Sequence, residues 1–194
     1  LPIFAPGEFA CLLGPSGCGK STLLGALAGH LTPSRGQLRL DGAPIGGPDP
    51  QRGLVFQHHT LFPWLSVRDN VAYGLRMRGV GRAERHAQAM TWLKEVGLDK
   101  LSARLDDTEL WSHMLSVGEQ QRIAFARALL VKPALLFMDE ASSALDESSE
   151  ATLYALLKAQ LPQTILVSVG HRSTLQPFHS RLLRWQEGGH WQLA

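Results

Sequence analysis

The feature that most constrains this chain is the run Gly14-Pro15-Ser16-Gly17-Cys18-Gly19-Lys20-Ser21-Thr22. It fits the phosphate-loop pattern G-x-x-x-x-G-K-[ST], and its flanks supply the context that such a loop needs. Phe9-Ala10-Cys11-Leu12-Leu13 before it reads as a buried strand, and residues 23–28 after it read as the start of a helix. Glycines let the backbone wrap a polyphosphate, so that successive N–H groups and the helix N-terminus point at it. Lys20 adds a positive charge for the β- and γ-phosphates, and Ser21 offers a hydroxyl to Mg2+. The competing reading is a chance glycine-rich turn. At an average Gly usage of about 7%, the four fixed positions seldom coincide.

Length and composition set the outer bounds. A chain of 194 residues accommodates one domain, or one domain with a subdomain. Its net charge is +2, from 19 Lys+Arg against 17 Asp+Glu, which gives no electrostatic reason to expect nucleic acid or anionic lipid as the main partner. Cys11 falls in an apolar strand and Cys18 in the phosphate loop, which suits a reducing, cytosolic setting and argues against a metal or redox role. No run of 18 apolar residues occurs, so no membrane span is predicted. No secretory signal is visible and the chain starts at Leu1, so a fragment or a processed form is expected.

Strand and turn signals alternate up to residue 56, with short strands at 37–40 and 54–56 and a turn at Asp41-Gly42. From residue 58 to 130 the character becomes helical. Ala83, Ala87, Met90, Leu93 and Val96 recur at helical spacing with Gly97 as a stop, and residues 123–130 form an apolar helix. Beyond Ala134 the pattern returns to strand, helix, strand over 135–138, 149–161 and 164–169. Residues 181–185 and 190–193 flank a Gly188-Gly189 hairpin signal. Strands alternating with helices predict an α/β fold with a mainly parallel sheet. The predicted organisation is a core of residues 1–56 and 131–194 with a helical insertion at 57–130.

Two further runs carry chemistry. Leu135-Leu136-Phe137-Met138-Asp139-Glu140 is an apolar strand ending in two acids. The strand end is expected to set Asp139 next to the phosphate loop, where it can hold Mg2+, with Glu140 as general base toward an attacking water. An acidic turn after a buried strand is the plain alternative, and the phosphate loop upstream favours the functional one. Leu115-Ser116-Val117-Gly118-Glu119-Gln120-Gln121-Arg122 precedes a helix. Ser116 and Gly118 at a helix N-terminus make an anion site, but Ser116 with Glu119 is also a good capping box, and alone the run is best read as a cap.

The run 115–122 resembles the signature of ATP-binding cassette (ABC) ATPases, usually written LSGGQ. With residues 14–22 similar to the Walker A motif and 135–140 to Walker B, the resemblance spans nearly the whole chain. Gln57 matches the Q-loop, Ser143-Ala144-Leu145-Asp146 the D-loop and His171 the switch histidine. The resemblance implies a RecA-like P-loop NTPase fold with a helical subdomain, and a head-to-tail dimer of two copies that sandwiches two ATP molecules. Gly14, Pro15, Ser16, Gly17, Cys18, Gly19, Lys20, Ser21 and Thr22 would bind phosphate in cis. Ser116, Val117 and Gly118 would contact the γ-phosphate held by the other copy. Ser21, Gln57 and Asp139 would serve Mg2+, and Glu140, His171 and Gln57 catalysis. His58-His59 has no such support and reads as loop surface rather than a metal site. Phe62, Pro63 and Trp64 fall where the family receives the coupling helix of a membrane subunit; packing among the helices is an equally good reading.

Three departures from the family pattern stand out. The signature has Val117 where Gly is usual and Glu119 where Gln is usual. Only 13 residues precede Gly14, too few for the family's adenine-stacking aromatic loop and first strand, so an edge of the sheet is expected to be missing. Residues 7–98, and 61–71 above all, resemble cassettes of nitrate, sulfonate and taurine importers, whereas 115–122 and 170–175 resemble exporters that fuse cassette and membrane domain. The expectation is an ATP-hydrolysing subunit that powers import of a small anion. It would be peripheral at the cytoplasmic face of the inner membrane and partnered by a second cassette, transmembrane permease subunits and a periplasmic solute-binding protein, with no nucleic acid. The alternatives are a cassette of a fused exporter, a soluble ABC protein acting on DNA or ribosomes, and a phosphate-loop kinase. The soluble class carries coiled-coil inserts or a second cassette, which the sequence does not show. A kinase would need neither residues 116–118 nor His171.

Overall fold

A strand that is apolar at nearly every position must be covered on both faces, and three described strands have that character, with Asp139 and Ser168 as their polar residues. In a computed structural model that describes residues 4–56, 61–104, 114–170, 173–186 and 190–193, β1 (Phe9–Leu13), β5 (Leu135–Asp139) and β6 (Ile165–Val169) are each almost entirely buried. They form the centre of a six-stranded sheet in the order β4-β5-β6-β1-β7-β8, with β4 spanning Arg52–Val55, β7 Arg181–Gln186 and β8 His190–Leu193. Every neighbouring pair is parallel except β7 and β8. Helix α1 (Lys20–Ala28) covers one face, burying Leu24 and Ala28 against Leu12, Phe137, Val167 and Leu183. A separate hairpin joins β2 (Arg39–Leu40) to β3 (Ala43–Pro44). Its two central residues, Asp41 and Gly42, both have positive φ, the backbone that a two-residue hairpin turn requires. The strand expected over 37–40 is confined to its last two residues.

Asp139 ends a strand two places from β1, because β6 lies between. Leu12 and Asp139 both pair with Val169, so they stand level on either side of it. Two strand spacings, about 10 Å, separate them.

The chain divides into two compact units: residues 1–55, 133–140 and 162–194, which hold the sheet, and residues 56–132 and 141–161, which are helical. In the second, α2 (Val67–Met77), α3 (Arg82–Glu95) and α4 (Val117–Val131) pack on one another. Gly74 of α2 lies so close to Val131 that a Cβ there would collide with it. Gly97 ends α3 at φ +75, as its position in the sequence predicts. Helix α5 (Glu147–Gln160) also belongs to this unit. Side chains bind it there: Arg122 donates to Ser149 Oγ at 2.7 Å, and Phe125 meets Tyr154 edge-on at 6.3 Å.

Candidate nucleotide site

The phosphate loop connects the carboxyl end of β1 to α1, on the side of the parallel strands where ligand crevices form. Gly17 and Gly19 take φ of +81 and +94 with open space where a Cβ would be, so backbone conformation, not crowding, selects glycine at both. Gly19 is the N-cap of α1 and makes no side-chain capping bond, and the first turn carries no acid. That leaves the positive end of the helix dipole to an external anion. Lys20 is buried, and its Nζ donates to the carbonyls of Gly14 and Pro15 at 2.8 Å each. The ammonium is therefore held across the loop it serves. Ser21 and Thr22 are exposed.

Gly14 is a different case. A Cβ there would lie 2.8 Å from Cys18 Sγ and 2.9 Å from Trp185 Cβ. Trp185 meets Trp191 of β8 edge-on at 5.2 Å. Sequence reasoning assigns both tryptophans only to a hairpin. The place of Trp185 beside the loop comes from the pairing of β7 with β1, a contact across some 170 residues that no local signal announces.

At the end of β5, the Glu140 backbone is left-handed, with φ +47, and its N–H donates to Val169 O at 3.0 Å. A left-handed non-glycine residue costs about 1–2 kcal/mol, and such strain gathers at functional positions. The Ser21 hydroxyl and Asp139 carboxylate are hard oxygen donors of the kind that suits Mg2+. Gln57, His58, His59 and His171 lie outside the described residues.

In the helical unit, Ser116 caps α4. Its hydroxyl accepts the Glu119 N–H at 3.3 Å, and the Glu119 carboxylate accepts the Ser116 N–H and hydroxyl, both at 2.8 Å. Val117, the first helical residue, is 49% exposed despite being apolar. Gly118 sits against Ala144, whose carbonyl oxygen is 3.5 Å from where a Cβ would stand. A cleft of about 600 Å3 opens here, lined by Gly97, Leu98, Ser116, Gly118, Glu119 and Asp146. Asp146 caps α5 by accepting the Ser149 N–H and hydroxyl, both at 2.8 Å, and these bonds, the backbone one first, lower its pKa from the usual carboxylate value.

The loop before α2 separates two readings that the sequence leaves equal. Phe62 packs inward against Tyr73, with ring centroids 4.5 Å apart, and Arg127 stands 5.0 Å over its ring. Trp64 is 69% exposed. Asn70 fixes the loop, accepting the Phe62 N–H and donating to the carbonyls of Phe62 and Leu65. Among the described residues, no helix is long and apolar enough to cross a membrane.

The sheet order, the glycine loop and the lysine across its mouth define a P-loop nucleotide-binding α/β protein with a helical unit. The family model described as "ABC transporter" matches residues 3–143. The taurine import ATP-binding protein TauB of Pseudomonas aeruginosa (strain UCBPP-PA14) is 47% identical over 160 residues, 82% of this chain and 59% of that protein. The nitrate import ATP-binding protein NrtD of Synechocystis sp. (strain ATCC 27184 / PCC 6803 / Kazusa) is 44% identical over 151 residues, 78% of this chain and 54% of that one. The chain thus spans a little over half the length of these relatives. Among solved structures, the cassette MJ0796 bound to ADP and Pi superposes with a TM-score of 0.85 at 28% identity, covering 100% of this chain and 87% of that one. A bacterial Atm1-family ABC exporter with ATP bound gives 0.84 at 29% identity, covering 98% of this chain and 34% of that one. The chain belongs to the ABC transporter family, as an ATP-binding cassette with the P-loop ATPase fold.

Proposed function

We propose that this chain binds and hydrolyses ATP to power the transport of a small anion, such as nitrate, a sulfonate or taurine, across a membrane. The observation that carries the ATP reading is the phosphate loop, with Gly17 and Gly19 in left-handed backbone and Lys20 Nζ held at its mouth. The anion rests on the names of the importers it resembles. Residues 14–22 hold the phosphates in cis, and Ser116, Val117 and Gly118 of a second copy complete the site. Ser21, Asp139 and Gln57 hold Mg2+, which supplies charge neutralisation of the β- and γ-phosphates when bound. Glu140 accepts a proton from the attacking water, and His171 and Gln57 orient the reacting groups. The partners are a second cassette, permease subunits and a periplasmic solute-binding protein, at the cytoplasmic face of the membrane. Nucleic acid is not among them. The likeness to an Atm1-family exporter over 98% of this chain supports a second reading, a cassette of an exporter. A solute-binding-protein gene beside this coding sequence favours import, and a fused membrane domain favours export.

The test is Lys20→Ala. Phosphate binding draws on the Lys20 charge, which no other basic residue of residues 14–22 replaces. Equilibrium titration with Mg-ATP should show most of the affinity lost and turnover abolished. Affinity equal to the parent would remove the basis for the whole reading.

A further inference from the structure

Residues 116–118 and 143–146 enter the proposed reaction as separate motifs, but the structure joins them through one side chain. Gln121 lies one turn into α4 and is 3% exposed. Its Oε1 accepts the Ala144 N–H at 3.0 Å and its Nε2 donates to Ser143 Oγ at 3.2 Å. Both ends of the carboxamide are thus committed to consecutive residues of one loop. Two neighbours reinforce the grip. Gly118 sets the first turn of α4 beside Ala144 and Leu145, whose O and Cδ2 would lie 3.5 and 3.6 Å from a Cβ built there. Arg122 donates to Ser149 Oγ at 2.7 Å and to Val96 O at 3.0 Å, so it reaches the far end of the same segment. Ser149 in turn is held by Asp146. Apolar packing alone tolerates sliding; a buried amide with both hydrogen bonds made does not, because leaving either partner unpaired is costly.

We infer that Gln121 is a positioning residue: it locks the signature turn Ser116–Gly118 to the loop Ser143–Asp146, so that a ligand drawn to the first moves the second with it. Residue 143 is three positions beyond Glu140, so the lock ties the contact made on the other copy's ATP to the segment that follows the proposed base. This deepens the ATPase reading and rests on it. Gln121 touches neither nucleotide nor reacting atoms in this scheme, so its loss should spare binding and impair turnover.

The test uses Gln121→Met, which keeps length and volume but makes neither bond, and Ser143→Ala, which removes one. Expected for Gln121→Met are an Mg-ATP affinity within twofold of the parent, a KM within threefold and a kcat at least tenfold lower, tenfold being 1.4 kcal/mol. Ser143→Ala should lose less, and nothing further in the Gln121→Met background, the non-additivity of a shared contact. Hydrogen exchange gives a readout independent of catalysis: the Ala144 amide should lose protection in Gln121→Met, and peptides covering 115–119 should lose it alongside. Turnover equal to the parent, or exchange confined to Ala144, overturns the inference. So does a parallel fall of binding, kcat and melting temperature, which is what a merely structural residue would give. If Gln121→Met does not fold, the exchange pattern of Ser143→Ala decides alone. A parent chain that neither binds nor hydrolyses ATP counts against the ATPase reading itself, and the exchange result still shows whether the lock exists.

Discussion

Ser116 and Glu119 cap one helix end reciprocally, the serine hydroxyl taking the Glu119 N–H while the glutamate carboxylate takes the Ser116 N–H. This accounts for a glutamate at the position where the family usually has glutamine: a carboxylate makes the cap and also faces the positive end of the helix dipole. Ser116→Ala should therefore cost about 1 kcal/mol of stability. Glu119→Gln keeps an acceptor oxygen and should cost only about 0.3–1 kcal/mol, the dipole contribution. Urea unfolding of both variants checks the ranking. In the ATP-bound dimer the sign of the Glu119→Gln effect should invert, since a negative charge near the γ-phosphate is removed. Its dimer should form at lower Mg-ATP than the parent's, as read by light scattering.

The loop glycines make a second prediction, because they are glycine for different reasons. At Gly19 a Cβ meets nothing within 4 Å, and only the φ of +94 resists it. Gly19→Ala should cost about 1–2 kcal/mol of backbone strain. At Gly14 the backbone is ordinary, but a Cβ would lie 2.9 Å from Trp185 Cβ, a main-chain-anchored atom that cannot rotate away. Gly14→Ala should thus displace β7 and cost about 1–3 kcal/mol. Cys18→Ala in the same chain relieves only the sulfur clash and should recover part of the loss. Full recovery in thermal unfolding would mean that Trp185 does not limit the site.

What the sequence disclosed follows from how far each signal reaches. The loop, its strand and its helix are contiguous, so pattern alone located them, and the same holds for the buried strands at 135–139 and 165–169. The cap at Ser116 was legible because its two partners are three residues apart. The rest depends on pairing between distant segments. No local pattern says that β6 inserts between β1 and β5. Nor does any say that Trp185 abuts Gly14, or that Gln121 reaches Ser143, 22 residues on. The reading of α5 as part of the core followed from βα alternation, and its polar links to α4 are tertiary.

Acid pH offers a test within the helical unit. Burial alone raises the pKa of Asp69, but hydrogen bonds from His86 and Ser66, with the charges of His86 and Arg82, outweigh it and leave the carboxyl below its ordinary value. The His86 Nε2 to Asp69 Oδ1 distance is 2.7 Å. A depressed folded-state value means that Asp69 stabilises the fold above its unfolded pKa of about 3.9, and that this contribution fades as pH falls through the folded value. Asp69→Asn should be less stable than the parent at neutral pH, and the gap should close below about pH 4. Denaturant unfolding from pH 3 to 7 measures it. A gap of constant size across that range would mean that Asp69 acts through shape and not charge.

The last prediction concerns Glu140, whose left-handed backbone is fixed by its N–H bond to Val169 O at 3.0 Å. That bond survives any side-chain change, so Glu140→Gln should keep the φ of +47, the fold and the nucleotide affinity. What it removes is the proton acceptor. Turnover should fall by about 10²-fold or more. Because ATP is then not consumed, dimers closed around it should accumulate, and light scattering should show a Mg-ATP-dependent doubling of mass that the parent lacks at steady state. Glu140→Gly separates backbone from chemistry. It relieves the strain and should be more stable than Glu140→Gln by about 1 kcal/mol, yet equally inactive. Should Glu140→Gln hydrolyse ATP at the parent's rate, or remain monomeric with and without Mg-ATP, the base must be sought in another residue.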